Sequence, residues 1–152
     1  MKDKHAFVRI LWRLVLAFPL LVLIGEIISE HRWLGRDPIQ AMYVEPDIRF
    51  VRLAIAAAPY LVLALFAQWR LRAYPSPKVL GGVIGAAVAV VVSSVFVWGI
   101  YFNDFGRGGG VNFAVAFLVI FSPFFTPILM LLGYALGRLL PKGIPRAAPR
   151  SS

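Results

Sequence analysis

The chain has 152 residues, 60% of them hydrophobic and 15% charged, with a mean hydropathy of +0.79. Soluble domains of this size bury only about two-thirds of the surface their unfolded chains expose and carry roughly 25% charged residues, so the apolar excess excludes a soluble globular protein and places the chain in lipid. The net charge of +9 would suit nucleic acid in a soluble protein. No basic run here is interleaved with stacking aromatics outside the apolar segments, so nucleic acid is not an expected partner and basic loops against anionic headgroups are.

The first predicted span covers residues 8–28, with Arg13 about one turn inside it and Glu26 near its far end. Lys2, Lys4 and "LVLAFPLLVLIG" resemble the basic and apolar regions of a secretory leader, but "GEIISEH" and no A-x-A site follows. The segment is therefore expected to be retained. Glu26, Glu30 and His31 in "GEIISEHR" are the nearest thing to a site. The two carboxylates are i,i+4 and share a helix face. With the imidazole they form a candidate cation site, but His5 lies at the other end of the span. The simpler expectation is a solvated helix end, with Glu26 as a candidate proton-coupled carboxylate because an ionisable group within a span is a functional candidate by default.

The second span, 50–69, has an uncharged core from 53 to 69, and Arg52 and Arg70 are expected to reach outward at its two ends. The third, 79–102, is 24 residues without a charge, more than the ~20 needed to cross a ~30 Å hydrocarbon core. "NDFGRGGG" follows, four glycines and an arginine in eight residues. A phosphate loop needs a preceding strand and a soluble helix, and a kinase DFG needs its lysine, catalytic loop and Mg²⁺ ligands. Neither context is present, so the stretch is a hairpin between spans.

The fourth span, 111–137, carries Pro123 and Pro127 near its middle in "SPFFTP". Each proline removes a backbone donor and kinks the helix; Ser122 and Thr126 are placed to re-satisfy the backbone, and an opening onto substrate is the functional alternative. Gly81, Gly85, Gly133 and Gly137 form small-residue ridges that let helix backbones approach closely. They serve either packing among the four spans or docking onto another subunit. Residues 141–152, "PKGIPRAAPRSS", read as a disordered basic tail after a 1–140 transmembrane domain.

Orientation follows from lysine and arginine in the short loops. Eleven of the 16 fall on the side of the two termini and five on the other, whereas six of the seven acids fall on that other side. Both termini are thus expected in the cytoplasm. Trp12 and Trp69 mark the inner boundary and Trp33 and Trp98 the outer one.

The expected fold is an all-α integral membrane protein, a four-transmembrane-helix bundle, N-in and C-in, in a bacterial-type cytoplasmic (inner) membrane. Chemistry is thinly represented. There is no cysteine, which removes disulfides, thiolate metal sites and palmitoylation, and no histidine lies inside a span to ligate haem. No catalytic residue, cofactor or metal is expected. The leading reading is a non-enzymatic accessory or scaffold subunit, its partners being the lipid bilayer and other membrane subunits or further copies of itself. A small oligomeric transporter or channel component is the alternative, and a lipid-modifying enzyme the third class.

Overall fold

The computed structural model describes residues 3–43, 46–74, 76–105 and 113–139. All secondary structure among the described residues is helical: α1 (Asp3–Leu34), α2 (Pro38–Tyr43), α3 (Pro46–Ala73), α4 (Pro77–Phe105) and α5 (Phe113–Leu139). Helices α1, α3, α4 and α5 are long and apolar enough to cross a membrane, with mean hydropathies of 2.1 to 2.4 over 18-residue windows. The glycine loop at 106–112, the first two residues of the fourth predicted span and the tail from 140 onward lie outside the described residues.

The spanning helices begin or end beyond the apolar stretches that predict them. A helix leaving lipid stops only where the sequence supplies a stop. For α1, 32 residues long and about 48 Å at 1.5 Å per residue, the stop is Gly35 at φ 63°, a left-handed conformation glycine adopts without steric cost. Helix α2 begins at Asp37-Pro38: the Ile39 N–H donates to Asp37 Oδ1 at 2.8 Å, and proline occupies the first helical position, where its missing donor costs nothing. Ser76-Pro77 starts α4 the same way, with Val79 N–H donating to Ser76 Oγ at 3.2 Å.

Side-chain pairings set the helix directions. Trp12 with Gln68 near one end and Glu30 with Arg49 near the other make α1 antiparallel to α3. Gly81 against Gly137 and Gly85 against Gly133 make α4 antiparallel to α5. Arg70 with Tyr134 makes α3 parallel to α5. The bundle is therefore up-down-up-down. One end, the terminal end, holds the start of α1, the α3–α4 turn and the close of α5. The other, the α2 end, holds α2 and the start of α3.

Two close pairs, α1–α3 and α4–α5, build the bundle, and α3 also contacts both α4 and α5. In the α4–α5 pair the glycines face one another. A Cβ on Gly133 would stand 2.5 Å from the Gly85 carbonyl oxygen, and one on Gly81 would stand 2.8 Å from that of Gly137. These are backbone atoms, which cannot rotate away, so the ridge of Gly81, Gly85, Gly133 and Gly137 is occupied within the chain. Above it, Leu63, Ala64 and Ala67 of α3 and Val83, Ala86 and Val90 of α4 are fully buried. Leu16, Phe96, Phe124 and Leu136 remain exposed on the perimeter, as lipid-facing residues do.

Helix α5 is continuous through Pro123 and Pro127. The missing N–H of Pro123 would have bonded to the Val119 carbonyl four residues earlier. Ser122 Oγ donates to that carbonyl instead, at 2.7 Å. A crevice of about 40 Å³ separates Pro123 and Pro127 from Pro59 of α3.

Of the four tryptophans, Trp12, Trp33 and Trp69 are exposed, but Trp98 is 4% exposed, with its ring 5.3 Å from that of Tyr101 and 6.1 Å from that of Phe102. Trp98 is a core residue and not part of an interfacial belt. It sits on the inward side of α4, a direction that distance from the span end does not encode.

Candidate buried ionic cluster at the α2 end

Glu26 and Glu30 stand one turn apart on α1, and Arg49 and Arg52 stand three residues apart on α3, so each pair shares one helix face. The antiparallel register sets the two faces opposite each other. Arg49 Nη2 donates to Glu30 Oε1 at 2.7 Å, and its Nε lies 3.6 Å from Glu26 Oε2. Arg52 Nη1 donates to Glu26 Oε1 at 3.1 Å and to the Tyr101 hydroxyl of α4 at 2.6 Å. The Tyr101 hydroxyl in turn lies 3.5 Å from Glu26 Oε1. Arg36, in the α1–α2 connection, closes the outer side with its Nη1 3.6 Å from Glu30 Oε2. The cluster thus joins α1, α3 and α4 through charge-assisted bonds, which are about twice as strong as neutral ones.

Glu26 is 2% exposed, Glu30 5% and Arg49 5%. The solvated helix end expected for "GEIISEHR" and the outward-reaching Arg52 are both corrected. The physical reason is complementarity. Two carboxylates and two guanidiniums at matching spacings neutralise one another inside the bundle, sparing each group a separate reach to water. His31 does not join them: it is exposed, and its Nδ1–H donates to the Arg36 carbonyl at 2.9 Å. Among the described residues, no three histidine, aspartate or glutamate side chains gather as a cation would require.

Chemically, the cluster is a charge-compensated tie. Its carboxylates are already held by arginines, which disfavours a further cation. Arg49 Nη1 and Arg52 Nε are buried without a hydrogen-bond acceptor among the described residues; such donors lose water without full repayment, so the network tolerates little rearrangement. Beside it, a cleft of about 340 Å³ runs between α3 and α5, with Ile55, Val119 and Ile120 on its walls and Arg52 and Tyr101 at its end.

At the terminal end a smaller tie joins α3 to α5. Arg70 donates to the Tyr134 hydroxyl through Nη2 at 2.7 Å and Nε at 3.2 Å. Its guanidinium also stands 5.4 Å from the Trp69 ring centroid and 5.0 Å from that of Tyr74, within cation–π range. Arg70 is therefore half-buried among aromatics.

The sequence reading named Glu26 and Glu30 but missed Arg36, Arg49, Arg52 and Tyr101. A usable sign was present: paired acids near the end of one span and paired bases at the start of the next, at spacings that each select one helix face. Pro123 and Pro127 lie away from the cluster, against Pro59, and the four ridge glycines lie in the α4–α5 seam.

Comparison with protein-family models, with curated proteins and with solved structures gave no match for this chain.

Proposed function

We propose that this multi-pass membrane protein is a non-enzymatic accessory or scaffold subunit that packs beside other membrane proteins. We place it in a cytoplasmic membrane of bacterial type, with both termini inside. The observation that carries the reading is that the charges drawn into the bundle, Glu26, Glu30, Arg49 and Arg52, close on one another within the chain, above an interior filled by Leu63, Ala64, Val83, Ala86 and Val90. Such a bundle commits its polar groups to holding its own shape. Its broad apolar perimeter, with only 11% of the α1 window buried and 33% at most in the others, is the surface left for lipid and neighbouring subunits.

Affinity purification in mild detergent tests this. A foreign membrane subunit at stoichiometric amount is expected; a homo-oligomer alone favours a small transporter or channel built by oligomerisation. One observation speaks for that second reading: Glu26 is an ionisable group buried inside a span, the usual mark of a coupling site.

Threading is tested separately. Reporter fusions after Pro75 and Ser152 should read cytoplasmic, and fusions at Gln40 and Gly108 external. The basis is the excess of lysine and arginine on the side of the termini. The opposite pattern at all four positions would invert the proposed orientation while leaving the bundle intact.

A further inference from the structure

The terminal end carries a feature that the accessory-subunit reading does not use. A groove of about 510 Å³ lies between the first turns of α1 and the last turn of α3, lined by His5, Arg9, Trp12, Gln68 and Arg72 over an apolar floor of Val8 and Leu71. His5 and Arg9 are i,i+4 and so share a face of α1, and Arg72 faces them from α3. Among the side chains described, no aspartate or glutamate lines the groove. Among the described residues neither Arg9 nor Arg72 has an ion pair, whereas Arg36, Arg49 and Arg52 at the α2 end all have one.

We propose that this groove binds the phosphodiester headgroup of an anionic membrane lipid. The guanidiniums supply the charge and the paired donors that suit phosphate oxygens. Trp12 is 38% exposed at the groove and donates its indole N–H to Gln68 Oε1 at 3.1 Å. That bond fixes the ring where the apolar span meets the headgroup layer, the level at which indoles settle. Leu16, one turn beyond Trp12 on the same face of α1, is 71% exposed and continues the groove wall with a perimeter residue that acyl chains would cover. A soluble phosphate would gain only the charge attraction, whereas a lipid adds burial of its chains against this wall.

The test uses the full chain in nanodiscs mixing phosphatidylglycerol with phosphatidylcholine, followed by native mass spectrometry of the lipids retained. Phosphatidylglycerol should be retained in preference. Removing two charges with Arg9→Gln/Arg72→Gln should lower that preference about thirty-fold, from roughly one membrane-surface interaction per arginine. Arg13→Gln removes one exposed charge of the same helix that does not line the groove, and should lower the preference by no more than about fivefold, the value of a single surface charge on the same scale. The preference is a ratio read within each protein, so a change in yield does not imitate its loss. An equal fall for Arg13→Gln, or none for the double variant, would overturn the site. Displacement of phosphatidylglycerol by millimolar inorganic phosphate would also overturn it, by assigning the groove to a soluble anion.

Discussion

Gly85→Leu is expected to lower the unfolding midpoint in mild detergent by about 6 to 12 °C, on the scale of roughly 3 kcal/mol of overpacking and 2–4 °C per kcal/mol for a chain of this size. A Cβ on Gly85 would fall on the carbonyl oxygen of Gly133, and one on Gly133 would fall 2.5 Å from that of Gly85 and 2.7 Å from Ala89 Cβ. Neither backbone atom has a rotamer to give, so relief requires α4 and α5 to separate. That separation would loosen the tightest helix pair in the bundle. Gly133→Ala should already show part of the loss. Gly99→Ala is the control, because a Cβ there meets nothing within 4 Å; replacing a helical glycine with alanine in open space should change stability by less than about 1 kcal/mol. Similar midpoints for Gly85→Leu and Gly99→Ala would show that the two helices do not meet at the glycine ridge.

The four spans were legible because crossing lipid imposes a length and an apolar content that few other structures share. Their ends were less so. Lipid constrains only the middle of each helix, and the stop at Gly35 and the starts at Asp37-Pro38 and Ser76-Pro77 are local backbone chemistry that an apolar count does not weigh. Helix α2 was missed for that reason, although Asp37 and Pro38 are the residues a helix start favours. The site was half legible. Hydropathy treats every charge near a span end as bound for the headgroups, and Arg13, which is exposed, behaves that way. Arg52 lies equally near an end, yet it faces inward because α1 offers Glu26 and α4 offers Tyr101 at the same level. That choice depends on which helices are neighbours and in what register, information held in pairs of segments and absent from either one. Trp98 was misplaced on the same ground. The ridge glycines came out more completely, since small residues four positions apart announce close approach whatever the partner, although only the fold says that the partner is within the chain.

Glu26→Gln is expected to lower the amount of folded protein markedly, because removing one partner of a buried ion pair costs about 3–5 kcal/mol, a large part of the 5–15 kcal/mol that holds a typical domain together. The amide would leave Arg52 and Arg49 facing each other with only Glu30 to balance them. Loss of function in this single variant would therefore not separate a coupling carboxylate from a structural one. The double variant Glu26→Gln/Arg52→Gln does. It removes one charge of each sign, leaves Glu30 and Arg49 paired at 2.7 Å, and should recover much of the folded protein, since the main cost of the single variant is the uncompensated buried charge it leaves. Folded protein is read by size-exclusion chromatography, and function by any growth or transport assay that detects deletion of the protein. Under the scaffold reading the two recover together, because the cluster acts only by joining α1, α3 and α4. If folded protein returns while function stays absent, the charged pair of Glu26 and Arg52 is needed for more than folding, and the scaffold reading gives way to proton- or ion-coupled transport. If the double variant folds no better than the single, Glu26 and Arg52 do not compensate each other, and the buried cluster is not the tie described.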